Sequence, residues 1–150
     1  PLDPYFKIRK GNLVTPSGRI IKTFLAITNE EQQKGLSETP PEAFGDNEGL
    51  LFFYLQDGPR RFWMVDTYID LDILFLDKDL KILAIERNML AHPGNSEPPP
   101  IARTKTYRAR HVLEIKSKTP LAKSLRKGIQ LKWAGKFPIQ KIESNIRSSQ

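Results

Sequence analysis

The sequence has no cysteine, and its only histidines are His92 and His111. The lack of cysteine excludes a disulfide framework, a zinc site with thiolate ligands and a cysteine nucleophile. The two histidines are far apart in the sequence and lack the spacing of a metal-binding pair, so we expect no metal site and no cofactor. No apolar run is long enough to cross a membrane as a helix, so we expect no transmembrane segment.

Two motifs that often mark an enzyme are also missing. No serine lies in a G-x-S-x-G elbow. No glycine-rich loop is present that would bind phosphate groups. We therefore predict no catalytic residues and favour a non-catalytic protein.

Acidic residues are scarce in the last third of the chain. Residues 101–150 contain 13 Lys/Arg and 2 Asp/Glu, whereas residues 1–100 contain 11 Lys/Arg and 15 Asp/Glu. Such asymmetry can attract an anionic polymer, although a solvated basic surface is the simpler interpretation. The aromatic residues of this basic region are few and scattered, which argues against nucleic acid as a partner.

The sequence does contain many short apolar segments separated by Gly, Pro, Asn and Asp, which is typical of β-strands. Strands are predicted over residues 5–10, 19–27, 49–54, 61–65, 71–76, 81–87, 109–116 and 129–133. Threonine caps predict short helices after Thr28, Thr39 and Thr119, and Gly35 can end the first of them. These elements predict a mainly β single domain, a β-sandwich or barrel with about three short helical insertions.

The chain has three predicted parts. Residues 1–18 form an N-terminal strand and turn segment, residues 19–133 the β domain, and residues 134–150 a C-terminal tail. Within the domain, residues 88–108 are a long polar connection that is rich in proline. Loops of this length often carry function, so it is a candidate ligand loop, with a mobile excursion as the alternative.

Aspartates interrupt the apolar stretch FWMVDTYIDLDILFLD, residues 62–77. Asp70 and Asp72 are two residues apart, so on an extended strand both side chains project from one face, about 7 Å apart. With Asp66 nearby, they could act as acid and base in glycan hydrolysis or bind Ca²⁺. Alternatively, each accepts backbone N–H groups or pairs with an arginine, because a buried unpaired carboxylate is costly. The candidate arginines are Arg60, Arg61, Arg103, Arg108 and Arg110.

Other polar and aromatic residues are candidates for the same site. Trp63 could line a pocket, although an aromatic residue in a strand more often belongs to the core. Strand alternation places Glu114 on the face opposite His111, and we expect His111 to be a satisfied residue at the edge of the core. The candidate ligand-binding residues are Trp63, Asp66, Thr67, Asp70, Asp72, Arg103, Arg110 and Glu114.

A series of motifs recurs in a defined order along the chain. It comprises Gly35-Leu36, Gly49-Leu50-Leu51-Phe52, Phe62-Trp63-Met64 with Thr67, Leu71-Asp72-Ile73, Phe75, Asp77 and Val112-Leu113-Glu114. In order and spacing these motifs resemble the DUF192 family over residues 19–133, with FWM..T...LDI.F.D as the core of the resemblance. The resemblance implies a small β-rich domain of bacteria and archaea, often exported or anchored, with no known function and no catalytic residues to transfer.

The chain also departs from the family pattern. Ser37 stands where a methionine usually follows Gly-Leu, without the usual nearby arginine, and Leu50 stands where methionine is usual. Val65-Asp66 replaces Lys-Asn, and Asp70 replaces proline. Because the last two changes remove a cation and add two carboxylates, they put in doubt an anionic ligand at that position.

We therefore predict a non-catalytic domain that binds a ligand or partner. The resemblance implies export to the periplasm or cell envelope, with the signal segment absent from this sequence. The predicted partner is a small polar ligand or a cell-envelope polymer. The alternatives are a hydrolase, acting on glycans through Asp66, Asp70 or Glu114, and a binder of anionic polymers through residues 101–150.

Overall fold

The structure is a computed structural model that describes residues 9–149. The strands in this range are β1 (Lys10–Val14), β2 (Ile20–Ala26), β3 (Glu48–Phe52), β4 (Gly58–Arg60), β5 (Leu71–Leu76), β6 (Ile82–Met89), β7 (Tyr107–Ala109), β8 (His111–Lys116) and β9 (Lys132–Gly135). The helices are α1 (Asn29–Lys34), α2 (Pro120–Ser124) and α3 (Ile139–Ser148), with a 3-10 turn at Pro41–Ala43.

Seven of these strands form one sheet in the order β6-β5-β8-β3-β2-β1-β9, and β4 and β7 form a separate ribbon. Neighbouring strands are antiparallel except for β2 and β3, which are parallel and are joined by a crossover that contains α1. Over residues 9–149 the sheet ends at β6 and β9 and does not close into a barrel. The prediction of a mainly β domain with about three short helices is confirmed.

Both faces of the large sheet are covered. On one face, α2 and α3 pack against the sheet through a cluster that includes Leu121, Leu125, Ile142 and Ile146. The other face is covered largely by the turns and loops between strands, whose buried residues include Leu36, Phe44, Met64, Ile69 and Ile101. The second face positions the candidate site, because the segment that follows β4 lies on it.

The caps of two helices were predicted correctly. The Thr28 hydroxyl accepts a hydrogen bond from the Glu31 N–H at 3.1 Å, and the Glu31 carboxylate accepts one from the Thr28 N–H at 2.9 Å, which is a capping box. Thr119 caps α2 with one such bond, since its hydroxyl accepts a hydrogen bond from the Ala122 N–H. Gly35 ends α1 with a φ of +50°, and a Cβ there would lie 3.0 Å from the Phe52 ring.

Several predicted elements were wrong. The cap predicted at Thr39 is absent. The 3-10 turn there begins after Pro40, and no side chain caps it. Residues 61–65 are not a strand but make isolated bridges at Trp63 and Val65, and β4 lies just before them, at Gly58–Arg60. Residues 134–150 are not simply a tail, since they contain α3.

The first predicted strand was only partly placed. Its residues 5–8 lie outside the described residues, while β1 starts at Lys10, where the predicted strand ends, and continues to Val14. β1 extends this far because it pairs with β2 on one side and with β9 on the other. The Trp133 ring lies over Gly11, where any Cβ would collide with it.

Candidate functional site

A cleft of about 390 Å³ opens between the C-terminal end of α1 and the segment that begins at β4. Three cations line it, Lys34, Arg60 and Arg61. Neutral polar groups and aromatic rings complete the lining, among them Gln33, Ser37, Thr67, Tyr54, Phe62 and Trp63. Within residues 9–149, none of the lining side chains is a carboxylate. The cleft is therefore basic, aromatic and open to solvent.

Arg60 is held in a fixed position at the wall of the cleft. Its guanidinium carbon lies 3.7 Å from the centre of the Tyr54 ring, and its Nη2 donates to the Gln56 carbonyl. Its Nε is buried and has no hydrogen-bond partner in the described part of the chain. Burial lowers the pKa of Arg60, but an arginine stays protonated in proteins. The cleft thus contains a permanent cation that is already oriented before any ligand arrives.

Tyr54 supplies a neutral hydroxyl beside this cation. Burial raises the pKa of Tyr54, Arg60 opposes that shift, and Glu114 adds to it. The phenol therefore stays protonated at neutral pH and can donate a hydrogen bond. Glu114 itself is buried on β8, and burial raises the pKa of its carboxyl to about 8.

A second cavity, of about 420 Å³, lies against Trp63 and is lined by Arg61, Phe62, Trp63 and Arg103. It shares three of these residues with the first cleft, so the two cavities adjoin at Trp63, and we refer to them together as the groove. The Trp63 side chain is 52% exposed. The Arg103 guanidinium lies 5.3 Å from the centre of its ring, and the Glu97 carboxylate lies 3.7 Å from Arg103.

The backbone around Trp63 is well anchored. Phe62 donates its N–H to the Thr104 hydroxyl at 3.0 Å, and the Thr104 N–H donates to the Phe62 carbonyl at 2.8 Å. The Met64 N–H donates to the Ala102 carbonyl at 3.0 Å. The Phe62 ring packs edge-to-face on Phe52, with centroids 4.8 Å apart. These contacts place Trp63 and Arg103 opposite each other in an antiparallel bridge.

Three of the candidate ligand-binding residues line this groove. Trp63 and Thr67 line the first cleft, and Trp63 and Arg103 line the second cavity. Thr67 is buried and donates its hydroxyl to the Val65 carbonyl at 3.1 Å. The other five candidates line neither cavity: Asp66, Asp70, Asp72, Arg110 and Glu114.

Asp72 joins β5 to the neighbouring elements. It is buried, its Oδ2 pairs with Arg87 Nη1 at 3.0 Å, and its Oδ1 accepts the Asn88 N–H at 2.9 Å. Arg87 also donates to the carbonyls of Ala122 and Leu125, so the cluster ties the β5–β6 hairpin to α2. Both carboxylate oxygens are engaged in the fold, as the structural interpretation of this residue required. The partner arginine was not among those expected.

The other two aspartates differ from each other. Asp70 precedes β5, and its Oδ1 accepts the Ala91 N–H at 2.7 Å. Asp66 has a φ of +53° and is half-buried, and its backbone bonds to Gly94 and Glu38 at 2.8 and 2.7 Å. Asp70 therefore orders the end of the β5–β6 hairpin, and the main chain of Asp66 joins two loops.

Arg110 and His111 lie next to the cleft wall but serve the fold. Arg110 Nε pairs with the Asp57 carboxylate at 2.8 Å. His111 is fully buried and stacked on Phe53, and its Nδ1 accepts the Tyr54 N–H at 3.2 Å. Its Nε2 is without a partner among the described residues, so the expectation of a satisfied histidine holds for one nitrogen only. Burial, aided by nearby arginines, lowers the pKa of His111 to about 3.

Lys34, Tyr54, Arg60 and Arg61 were not proposed as site residues from the sequence. The only local signal was the pair of arginines immediately before FWM. Tyr54, Arg60 and Arg61 lie near α1 only because the chain turns back toward that helix after β3. The sequence pattern does not reveal this turn. No group of three or more His, Asp or Glu side chains in residues 9–149 is arranged to hold a metal ion.

The fold and the groove define a small β-rich domain with a basic, aromatic surface cleft. The chain belongs to the DUF192 family, described as "Uncharacterized ACR", whose model matches residues 12–133. The match begins seven residues before the start that the motifs indicated. None of the helices in residues 9–149 is long and apolar enough to span a membrane.

Two solved structures are similar over most of the chain. One is a protein of Sinorhizobium meliloti 1021 described as a "putative transcription regulator", with 27% identity, a TM-score of 0.65 and coverage of 83% of this chain and 92% of the other. The second is a protein of unknown function from Novosphingobium aromaticivorans DSM 12444, with 28% identity, a TM-score of 0.64 and coverage of 83% and 84%. No curated protein matches this sequence.

Proposed function

We propose that the protein is a non-catalytic ligand-binding domain whose cleft at Arg60 takes a polar ligand with an anionic group. The observation that carries this proposal is the lining of the cleft by Lys34, Arg60 and Arg61 without an opposing carboxylate among the described residues. An oriented guanidinium binds carboxylate or phosphate in a fixed geometry, and its attraction is stronger where water is partly excluded. The volume of about 390 Å³ lies in the range of ligand pockets.

The family departures do not remove the positive charge of this cleft. Val65, which stands where the family has lysine, lines the cleft, whereas Asp66 does not. The three cations of the cleft come instead from α1 and from the end of β4. An anionic ligand is therefore compatible with the lining that this chain has.

The alternative of a glycan hydrolase has less support. Such an enzyme needs two carboxyl groups facing one cleft. Neither cavity at Trp63 is lined by an acidic side chain from residues 9–149, and Asp72 is fully engaged with Arg87 and Asn88. Glu114 has a raised pKa, but it is buried and lines neither cavity.

A thermal-shift screen tests the proposed function. Small carboxylates, phosphates and sulfates, each with a matched neutral compound, are added at constant ionic strength. A ligand that binds the folded protein alone must raise its melting temperature. We expect some anions to stabilise the wild type, their neutral counterparts to have no effect, and Arg60→Met to abolish the shift.

Arg126→Met is the matched control, because Arg126 is exposed and does not line the cleft. It should keep the full shift. The proposal is wrong if no anion stabilises the wild type, or if Arg60→Met responds to the anions as the wild type does.

We also propose that the domain acts in the periplasm or cell envelope. The family resemblance supports this proposal, and the test is fractionation of cells that express the complete coding sequence. Recovery in the cytosolic fraction alone would contradict it.

A further inference from the structure

We infer that the groove binds an acidic oligosaccharide, which spans both cavities and lays a sugar ring on Trp63. This inference rests on the proposed function, because it names the chemical class of the ligand and extends the Arg60 cleft across Trp63. Its basis is the order of groups along the groove. Arg60 lines the first cavity, Arg61 lines both cavities, and Arg103 lines the second.

The exposed indole indicates a ring as part of the ligand. A tryptophan that is 52% exposed leaves a large apolar surface in water, although its neighbours Phe62 and Met64 are turned into the core. The surrounding hydrogen bonds fix its backbone, so little conformational entropy is lost when a ring packs on it. Aromatic side chains contribute large contact areas to recognition at a small entropic cost.

The rest of the lining indicates hydroxyl and carboxylate groups. Gln33, Ser37 and Tyr54 line the first cavity and offer neutral donors and acceptors, which suit sugar hydroxyls. The cations at both ends suit carboxylates that repeat along a chain. An acidic oligosaccharide carries hydroxyls, ring faces and repeated carboxylates together. A nucleic acid strand would favour successive exposed aromatic platforms for its bases, and among the described lining residues of the groove Trp63 is the one aromatic side chain that is exposed.

Glu97 modulates the far end of the groove, which is the end formed by Arg103. Its carboxylate lies 3.7 Å from Arg103, and it also accepts the Ile101 N–H at 2.9 Å. Both side chains of the ion pair are about 40% exposed, so a ligand carboxylate can easily replace Glu97 as the partner of Arg103. Removing the charge of Glu97 while keeping its shape should make Arg103 more available.

The test is calorimetric titration with tetragalacturonate, its fully methyl-esterified form, and a single-stranded oligonucleotide, all at one ionic strength. Galacturonate monomer is tested in parallel by thermal shift. We expect tetragalacturonate to bind the wild type and the neutral ester to bind about tenfold more weakly or not at all. Trp63→Ala should weaken tetragalacturonate binding about tenfold, and Trp63→Tyr should restore part of the loss.

The far end of the groove is tested by a pair of variants with opposite effects. Arg103→Ala should weaken tetragalacturonate binding several-fold but leave the thermal shift caused by galacturonate unchanged. Glu97→Gln should strengthen tetragalacturonate binding. Trp63, Arg103 and Glu97 are exposed, so these variants should fold, and an unchanged melting temperature without ligand checks this.

The outcomes separate this inference from the proposed function. If small anions bind through Arg60 but tetragalacturonate binds no more tightly than galacturonate, or Arg103→Ala has no effect, the spanning ligand is wrong and the anion site stands. If the oligonucleotide binds more tightly than tetragalacturonate, the ligand class is wrong. If no anion binds, both proposals fall.

Discussion

At the scale of single residues, the two buried acids of the central strands have opposite environments. Asp72 on β5 pairs with Arg87 and accepts a hydrogen bond from the Asn88 N–H. Glu114 lies on the neighbouring strand β8, and burial is the cause of its raised pKa of about 8. Both acids thus lie in apolar strands, but they differ in the polar groups that reach them.

This difference predicts a pH-dependent contribution of Glu114 to stability. The pKa of its carboxyl rises from an ordinary value of 4.5 to about 8 on folding, so between these pH values the folded chain holds a proton that the unfolded chain has lost. The contribution is complete below pH 4.5 and is lost as the pH rises to about 8. Glu114→Gln has a similar shape and does not titrate. Relative to the wild type it should gain stability with increasing pH, by as much as a few kcal/mol at pH 9.

Urea unfolding at several values between pH 5 and pH 9 measures this effect. Glu42→Gln, at an exposed position, is the control and should follow the wild type. A constant difference between Glu114→Gln and the wild type across the range would show that the carboxyl does not titrate as burial requires.

At the scale of elements, α3 connects the last part of the chain to the core. Ile142 and Ile146 are four residues apart on one face of the helix, and both are buried in the cluster beneath the sheet. Ile142→Ala should lower the free energy of unfolding by about 2–4 kcal/mol, because it leaves a cavity in a packed cluster. Lys141→Ala, on the exposed side of the same helix, should change stability by less than about 0.5 kcal/mol. Denaturant unfolding compares the two, and equal small effects would mean that α3 is not docked in solution.

Elements with local causes were the ones that the sequence predicted well. The capping box at Thr28 and the threonine cap of α2 are made within four residues, and β5 is an apolar run interrupted only by Asp72. Elements that depend on distant partners were missed. β4 forms because it pairs with β7, about fifty residues later in the chain, and Trp63 pairs with Arg103 across a similar distance. No local pattern specifies such pairings.

The same reason limited the prediction of the site. Trp63, Thr67 and Arg103 were identified because they stand in a distinctive motif or in a long polar connection. Arg60 was considered only as a partner for the aspartates. Its place in the cleft comes from the Tyr54 ring and the Gln56 carbonyl, which hold the guanidinium from outside β4.

At the scale of the whole molecule, the positive charge of residues 101–150 is dispersed. Arg103 lines the groove, whereas other basic residues of this region serve the fold: Arg110 pairs with Asp57, and Lys116 bonds to the Pro41 carbonyl. Others lie on α2, β9 and α3. A polymer held by the whole basic region and a ligand held by the groove therefore engage different numbers of cations.

The salt dependence of binding distinguishes these two modes. Each cation that contacts an anionic chain releases about one counterion, so the logarithm of the affinity falls with the logarithm of the salt concentration by roughly the number of contacts. For tetragalacturonate in the groove we expect a slope of about 2–4, from Lys34, Arg60, Arg61 and Arg103. Arg60→Met should reduce the slope by about one, and Arg126→Met should leave it unchanged. A slope that Arg60→Met does not alter would instead assign binding to the dispersed basic surface, and the groove would lose its role.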